Sequence, residues 1–226
     1  MPGKVCLTFD DCYLDSWMAA LPLLESHGAR ATFFVSYFPL SVDGVGLKML
    51  QDTQARGHEI GCHSVSHHDP RKFLAVYTEA EYVRTEVHPT LRMMRACGLN
   101  CDSWAYPFNQ STPGLLRKLS AEFKVQRIRA LEPDQALAKP GDTVLRGFTM
   151  DGIVPGGTPE LRPIEPVLAV LDQAVATDRI AVLYGHDIVA QARRALAIQP
   201  DRLAAIMAHA RNLGMEFVTA SQIARM

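Results

Sequence analysis

The sequence feature that most constrains the fold is the run from Lys4 to Asp11, which is almost wholly apolar until it ends in two adjacent carboxylates. A short apolar run with such an abrupt polar end is typical of an inner strand of a parallel sheet, and α/β folds place their chemistry at the carboxyl ends of such strands. Adjacent carboxylates repel each other unless a cation or a shared proton compensates them. The run therefore predicts a buried strand whose end, Asp10 and Asp11, lies beside a positive charge.

The remainder of the sequence alternates between apolar, strand-like runs and segments with helical spacing of apolar residues. Strands are predicted at residues 31–36, 58–62, 103–106, 123–129, 143–150, 179–184 and 215–218. Helices are predicted at residues 14–26, 46–56, 78–97, 112–122, the second half of 159–177, and 200–213, with a long loop at 131–142. Thr78 and Glu81 form a capping box at the start of the third helix. This alternation predicts βα units and a parallel sheet.

Composition favours one domain spanning residues 1–226, because 226 residues with 48% hydrophobic content can form one large core. A net charge of -1 and a pI near 6.7 predict neither nucleic acid nor an anionic membrane surface as a partner. No signal peptide and no apolar run of membrane-spanning length is evident. Five cysteines without a CxxC pair favour free thiols in a reducing compartment. These features predict a cytoplasmic protein.

Reactive side chains follow three of the predicted strands. Asp10 and Asp11 follow the first strand, His63 and His67 follow the third, and His186 follows the late apolar strand. Parallel strands bring their carboxyl ends together. If the loop after the third strand forms a helical turn, His63 and His67, at i and i+4, project from one face as two ligands of one metal. One carboxylate and two imidazoles leave coordination positions open, as in a catalytic zinc-type site.

Each of these features also has an ordinary structural explanation. Two acids after a strand commonly cap the next helix, and an H-x-x-x-H spacing in a loop is common in histidines that bind no metal. His68 and Asp69 are candidates for hydrogen bonds to the ligating imidazoles. Asp187 either orients the His186 ring or caps the following segment.

Taken together, four segments resemble the motifs of the NodB-homology polysaccharide deacetylases, carbohydrate esterase family four. They are Thr8-Phe9-Asp10-Asp11, His63-Ser64-x-x-His67, Tyr106-Pro107-Phe108 and Leu183-x-x-His186. The resemblance covers nearly the whole chain and implies a distorted (β/α) barrel with about seven parallel strands. It implies hydrolysis of an N-acetyl, sometimes O-acetyl, group on a sugar or polysaccharide with a divalent metal. Zinc is the usual assignment in this family, and Co²⁺, Ni²⁺ and Mn²⁺ are alternatives.

Position by position, the resemblance implies that Asp11, His63 and His67 are the metal ligands. It implies that Asp10 is the catalytic base and that His186 is the acid that protonates the leaving amine.

The resemblance further implies that the backbone N–H of Phe108 helps to hold the tetrahedral oxyanion, and that Ser64 braces the histidine loop. The third family motif usually carries an arginine that orients the base, and residues 103–105 supply none. Arg146 is the expected substitute, and Asp151 is a candidate for tuning His186.

Two other functions compete with a sugar deacetylase. One is a hydrolase of a non-sugar amide or cyclic imide on the same barrel, a reaction that relatives without the three metal ligands carry out. The intact set of Asp11, His63 and His67 argues against such metal-free chemistry. The other is a catalytically silent sugar-binding barrel, and retention of both Asp10 and His186, which binding does not require, argues against it. The expected partner is a carbohydrate that carries an N-acyl group, and no feature of the sequence predicts an oligomeric state.

Overall fold

The structure, a computed structural model, describes residues 3–152, 162–191 and 196–226. In these ranges the strands are β1 (Lys4–Asp11), β2 (Ala31–Val35), β3 (Glu59–Cys62), β4 (Ser103–Ala105), β5 (Val125–Arg129), β6 (Leu137–Ala138), β7 (Val144–Thr149), β8 (Ile180–Gly185), β9 (Asp187–Ile188), β10 (Ala197–Ile198) and β11 (Glu216–Phe217).

The helices of the same ranges are α1 (Leu14–Ser26), α2 (Phe38–Ser41), α3 (Gly44–Ala55), α4 (Pro70–Leu74), α5 (Glu79–Tyr82), α6 (His88–Ala96), α7 (Pro113–Leu119), α8 (Glu165–Ala176), α9 (Pro200–Asn212) and α10 (Ala220–Ile223). A π-helical turn, Val83–Val87, joins α5 to α6, and 3₁₀ turns occupy Pro107–Asn109 and Pro133–Ala136. Among these helices, none is both long and apolar enough to cross a bilayer.

A closed barrel of seven parallel strands dominates the described part of the chain, in the order β1-β2-β3-β4-β5-β7-β8. The ring closes because β8 also pairs with β1, from Lys4 opposite Ile180 to Phe9 opposite Gly185. Helices flank the barrel, so the predicted distorted (β/α) barrel is confirmed. Two short strands extend the ring: β11 pairs with β1 in parallel, and β6 pairs with β8 in antiparallel orientation.

The alternation of side chains along the strands divides the core into two parts. Along β1, Leu7 and Phe9 face outward and pack in the large cluster between the barrel and its helices. Cys6 faces inward and packs inside the barrel with residues that include Phe34 and Leu145. Successive strand residues point to opposite sides, so Asp10 shares the inward face of Cys6. The register of β1 thus places Asp10 inside the barrel mouth and Asp11 at its rim.

Three local predictions need correction. The predicted helix 78–97 begins with the expected capping box at Thr78 but is interrupted by the π-helical turn before Pro89. The predicted loop 131–142 contains a 3₁₀ turn and β6. The small parallel sheet of β9 and β10 has no counterpart in the sequence prediction. The helix predicted in the second half of 159–177 is α8, and residues 159–161 of that range lie outside the described residues.

Candidate metal-binding and catalytic site

Three potential metal ligands converge at the mouth of the barrel. Asp11 ends β1, and His63 and His67 lie in the loop after β3. The Asp11 Oδ1 atom lies 3.5 Å from His63 Nε2 and 3.2 Å from His67 Nε2. One ligand atom from each of the three residues lies within 4.8 Å of the others. A carboxylate oxygen and two imidazole nitrogens at this separation can bind one divalent cation and leave further coordination positions open.

The environment of Asp11 fits a cation. Its Oδ1 atom is buried and has no partner in hydrogen-bonding geometry. Burial, the largest single influence, would raise the pKa of Asp11, but the imidazoles of His63 and His67 together lower the pKa well below its ordinary value. The carboxylate is therefore held ionised, as a metal ligand must be.

The histidine loop reaches this geometry without the helical turn that the spacing suggested. Ser64 and His67 both have left-handed backbone conformations, with φ of 71° and 56°. The Ser64 hydroxyl accepts a hydrogen bond from the His67 backbone N–H at 2.9 Å, as expected for a residue that braces the loop. Left-handed residues other than glycine cost on the order of 1–3 kcal/mol each and cluster at functional sites. The loop thus forms no helical turn, which was the condition given for the convergence of His63 and His67, and left-handed residues bring the two imidazoles together instead.

A backbone carbonyl sets the tautomer of His63. Its Nδ1 atom lies 2.8 Å from the carbonyl oxygen of Ala105, the last residue of β4. Because a carbonyl oxygen only accepts, Nδ1 must carry the proton. The Nε2 lone pair then faces Asp11, so the neighbouring strand prepares this ring to bind a metal.

The candidate base, Asp10, is paired with an arginine that the sequence analysis missed. Arg127 on β5 donates from Nη2 to Asp10 Oδ2, and both side chains are almost fully buried. Arg127 Nη1 donates to Asn109 Oδ1 at 2.6 Å. The guanidinium also packs over the rings of Phe34 and Tyr184, 5.5 and 4.9 Å from their centroids. These contacts fix the Asp10 carboxylate, while its Oδ1 atom remains buried without a hydrogen-bond partner.

The expectation that Arg146 replaces the missing motif arginine is wrong. Arg146 is exposed, and on β7 it pairs in register with Ile128, an outward-facing residue of β5. Arg127 instead pairs with Leu145, which lies inside the barrel. Neighbouring positions of parallel strands point to the same side of a sheet. Arg127 therefore points at the base, whereas Arg146 points away from it.

The candidate acid, His186, follows β8 and is held by a carboxylate. Its Nδ1 atom lies 2.6 Å from Asp151 Oδ2, and its backbone N–H donates to Asp151 Oδ1 at 3.1 Å. Burial would lower the pKa of His186, but hydrogen bonding and charge attraction from Asp151 outweigh it and raise the pKa to about 9. Of the two acids considered as partners, Asp151 is the one in contact. Asp187 instead accepts a hydrogen bond from the Ser16 hydroxyl at 2.5 Å.

Phe108 lies at the rim beside the metal ligands. Its backbone is left-handed, with φ of 54°, and its side chain is exposed. The ring centroid of Phe108 lies 4.8 Å from that of His67. The structure thus places the Phe108 ring beside His67, one of the three potential ligands.

His68 and Asp69 were candidates for hydrogen bonds to the imidazoles of His63 and His67, and the structure gives both residues other partners. His68 is exposed, and its Nδ1 atom contacts the Ser66 hydroxyl and Glu86. Asp69 caps α4 by accepting a hydrogen bond from the Arg71 backbone N–H at 2.9 Å. The sequence analysis had not identified Glu86, which is buried beneath the histidine loop.

A cleft of about 710 Å³ opens beside the ligands and is lined by Asp11 and His67. Tyr37, whose ring centroid lies 6.2 Å from that of His67, forms another part of its wall. Asp15 and Asp43 add carboxylates, and none of the described residues lining the cleft is a lysine or an arginine. The volume is within the range of small-molecule sites, ~300–1,000 Å³. The cleft can therefore admit a small ligand to the mouth of the barrel.

Comparison with known proteins gives a family match and a set of similar folds. A family model described as polysaccharide deacetylase matches residues 2–126. No curated protein matches the sequence significantly.

Three solved structures illustrate the similarity of fold. A family 4 acetyl xylan esterase from Clostridium thermocellum, in complex with a cobalt ion, is 22% identical with a TM-score of 0.65, over 97% of this chain and 89% of that chain. A peptidoglycan deacetylase from Bacillus subtilis is 17% identical with a TM-score of 0.61, over 99% and 91%. A peptidoglycan N-acetylglucosamine deacetylase from Eubacterium rectale ATCC 33656 is 18% identical with a TM-score of 0.59, over 96% and 88%.

Proposed function

The chain belongs to the polysaccharide deacetylase family, whose model matches more than half of it, and is therefore a hydrolase of the carbohydrate deacetylase class; from this premise we propose that it hydrolyses the N-acetyl amide of a sugar with the help of one divalent metal ion. The observation that carries the proposal is the convergence of Asp11, His63 and His67 at the mouth of the barrel. Asp10, the next-to-last residue of β1 and a candidate base, and His186, which follows β8 and is a candidate acid, lie at the same mouth.

In the proposal, Asp11 Oδ1 and the Nε2 atoms of His63 and His67 hold the ion. A bound divalent ion would act as a Lewis acid that polarises the acetyl carbonyl and makes a water molecule more acidic. Zn²⁺ is the proposed ion because one carboxylate and two imidazoles suit it, and Co²⁺, Ni²⁺ and Mn²⁺ are the alternatives. The cobalt ion in the C. thermocellum esterase supports a divalent metal in this fold.

Asp10 is the proposed general base, which accepts a proton from the attacking water. Its Oδ1 atom has no hydrogen-bond partner and so retains a lone pair for that proton. Arg127 fixes the other oxygen, Oδ2, so the carboxylate cannot rotate away from the reacting water. Asp10 therefore combines a free acceptor with a fixed orientation.

His186 is the proposed general acid, which donates a proton to the departing nitrogen. With a pKa of about 9, its ring is protonated at neutral pH and can donate from Nε2 while Nδ1 remains bonded to Asp151. An amide needs this proton because an amide anion is a very poor leaving group. The backbone N–H of Phe108 is proposed to stabilise the oxyanion that forms on the acetyl carbonyl.

The cleft beside the ligands favours a neutral N-acetylated sugar over a phosphate-bearing one. Asp15 and Asp43 join Asp11 in its wall, and the described lining residues offer no lysine or arginine to balance an anion. Like charges in a partly buried cleft repel an anionic substrate. We propose that the whole chain acts as one catalytic domain, and the cytoplasmic location stays a prediction.

The test is metal analysis followed by acetate release from a panel of N-acetylated neutral sugars, O-acetylated sugars, nucleotide-linked sugars and cyclic imides. We expect one divalent ion per chain, acetate release from N-acetylated neutral sugars, loss of activity after chelation and recovery when Zn²⁺ or Co²⁺ is restored. Activity that survives chelation, or turnover of the imides alone, would contradict the proposal. Binding of sugars without acetate release would identify a silent barrel.

A further inference from the structure

The π-helical turn Val83–Val87 places a buried carboxylate directly against the histidine loop. Glu86 lies in this turn and is only 4% exposed. The turn lies between α5 and α6 and not at the end of a barrel strand. π-Helical turns are rare and often mark functional sites. The sequence segment 83–87 would by itself be read as a continuous part of a helix.

The contacts of Glu86 concentrate on the segment that connects His63 to His67. Its Oε2 atom accepts a hydrogen bond from the Ser66 backbone N–H at 2.9 Å. Its Oε1 atom accepts one from the Ser66 hydroxyl at 2.6 Å and lies 3.2 Å from His68 Nδ1. Its backbone carbonyl accepts a further bond from the Val65 N–H at 3.1 Å. The Glu86 side chain thus contacts Ser66 and His68, the residues on either side of His67, and its backbone carbonyl holds Val65.

The π-helical turn explains how Glu86 reaches this position. The backbone N–H of His88 bonds to the carbonyl of Val83, five residues earlier, instead of four as in an α-helix. The next residue, Pro89, has no N–H and could not continue the α-helical pattern at that point. An extra residue in a turn rotates the preceding side chains by about 100° relative to the following ones. The turn therefore directs Glu86 toward the loop while α6 keeps its own packing face.

The loop from His63 to His68, which Glu86 contacts, contains no helix or strand. Two of its residues, Ser64 and His67, are left-handed, and the Ser64 hydroxyl supplies a single brace to the His67 N–H. Val65 and Ser66 direct their N–H groups to Glu86. Without these bonds, the backbone between the two imidazoles would have few restraints, and a buried carboxylate would be left without partners.

We propose that Glu86 is a positioning residue of the metal site, which holds the Val65–His68 segment so that the imidazoles of His63 and His67 stay convergent. The inference rests on the proposed metal site, because its effect is transmitted through two of the proposed ligands. Glu86 is not one of the three proposed ligands, and its bonds to the loop go to Val65, Ser66 and His68. Its loss would lower metal affinity without removing a ligand. Groups that hydrogen-bond directly to a ligand typically contribute ~10–100-fold to affinity, and Glu86, which bonds to the loop between the ligands, is expected at the lower end of that range.

The experiment measures Zn²⁺ affinity by isothermal titration and the visible absorption spectrum of the Co²⁺ form, which reports the geometry of the ligands. We expect Glu86→Ala to weaken Zn²⁺ binding ~10-fold and to change the Co²⁺ spectrum. Ser66→Ala removes one of the donors to Glu86 and should change both in the same direction by less. Glu86→Gln keeps the size and part of the hydrogen bonding, so it should recover part of the affinity.

Thr85→Ala is the matched control. Thr85 lies in the same turn, and its hydroxyl bonds to the Glu81 carbonyl at 2.8 Å, within the helix. We expect Thr85→Ala to retain wild-type Zn²⁺ affinity even where its thermal unfolding midpoint falls, which separates helix stability from ligand positioning. If Glu86→Ala does not fold, Ser66→Ala alone decides, since wild-type affinity and spectrum in that loop variant would overturn the inference.

The outcomes also separate this inference from the proposed function. A wild-type protein that binds no divalent ion overturns both. A wild-type protein that binds the ion while Glu86→Ala binds it equally overturns the role of Glu86 alone. Equal loss of affinity in Glu86→Ala and Thr85→Ala would show that Glu86 acts only through the stability of the turn.

Discussion

His63 and His186 use the same side chain at the same end of the barrel in two different electrical environments. Both are buried imidazoles that follow barrel strands, and both have Nδ1 engaged by a neighbouring oxygen. The partner of His63 is the neutral carbonyl of Ala105, whereas the partner of His186 is the Asp151 carboxylate. The Nδ1 partners of the two rings therefore differ in charge, and the Nε2 atom of His63 lies 3.5 Å from the Asp11 carboxylate.

The difference at Nδ1 fits the two proposed roles, metal ligand for His63 and general acid for His186. The Ala105 carbonyl orients the His63 ring and fixes the proton on Nδ1, so the Nε2 lone pair points to Asp11 and to the proposed ion. A carboxylate favours the charged ring, and the pKa of His186 rises to about 9 in spite of burial. The comparison predicts that changes on the His63 side alter metal binding, while changes on the His186 side alter proton transfer.

The largest effect is expected from His63→Ala or His67→Ala. Each removes one of the three proposed ligands, so Zn²⁺ affinity should fall by more than the ~10–100-fold expected for loss of an outer partner, and activity should fall with it. Titration calorimetry and metal analysis measure this. His209→Ala is the control, because His209 lies on α9 and pairs with Asp172. Wild-type ion content in either ligand variant would remove that residue from the site.

The next largest effect is expected from Asp10→Asn, which tests whether the base and the ligand are distinct carboxylates. A general base contributes ~10²–10⁴-fold, so kcat should fall by that amount while the Zn²⁺ content stays at one ion per chain. The asparagine keeps the size of the side chain but not its charge, so loss of the Arg127 pairing will also lower the unfolding midpoint. If the variant loses the ion and regains activity when Zn²⁺ is supplied, the roles of Asp10 and Asp11 are exchanged.

His186→Ala should lower the rate of amide cleavage much more than the rate of ester cleavage. Amide cleavage requires protonation of the departing nitrogen, whereas an activated acetate ester has a leaving group that departs as an anion. We expect kcat for an N-acetyl sugar to fall ~10²-fold, at the lower end of the range for acid–base catalysis, and turnover of an aryl acetate to change much less. Equal losses on both substrates, or altered Zn²⁺ affinity, would assign His186 a structural or ligand role.

Much of this site could be predicted from sequence because its signals are local. The apolar run of β1 ends at Asp10 and Asp11, and the spacing of His63 and His67 lies within one loop. The strand boundaries followed from hydrophobicity and from Gly and Pro positions, and most structural boundaries lie within two residues of the predicted ones. Such patterns can be read from neighbouring residues alone, without knowing how the strands are arranged in the barrel.

The missed residues depend on long-range geometry instead. Arg127 and Arg146 are both arginines in neighbouring strands, and only the register between β5 and β7 decides which one points into the barrel. The predicted strand 123–129 contains three charged residues, Lys124, Arg127 and Arg129, so the sequence did not show which of them is buried and needs a partner. Glu86 was hidden for a different reason, since a helical pattern does not reveal a π-helical turn, although Pro89 marked the place where the pattern had to change.

The smallest effect is expected from Asp151→Asn, which removes the charge that distinguishes His186 from His63 and leaves the imidazole in place. Asp151 raises the pKa of His186 from 6.5 to about 9, so the wild-type acid stays protonated up to that pH, and kcat/KM for the amide should decline as pH rises through about 9. Asp151→Asn removes the strongest influence that raises the pKa of His186 and leaves the smaller ones of Asp10 and Asp11, so this alkaline limb should move down by at least one pH unit. The loss of activity above the new limb is about tenfold per unit.

The same substitution has a stability signature with a definite sign. Because the folded-state pKa of His186 lies above 6.5, the pair with Asp151 contributes to the free energy of unfolding fully below about pH 6.5, and this contribution is lost as pH rises through about 9. The difference in unfolding free energy between wild type and Asp151→Asn should shrink across that window. Asp187→Asn is the matched control, because Asp187 follows His186 in the sequence but its carboxylate bonds to Ser16 and not to the His186 ring. An unmoved alkaline limb in Asp151→Asn, or an equal shift with the aryl acetate, would show that the carboxylate does not tune the acid and that the two histidines differ for another reason.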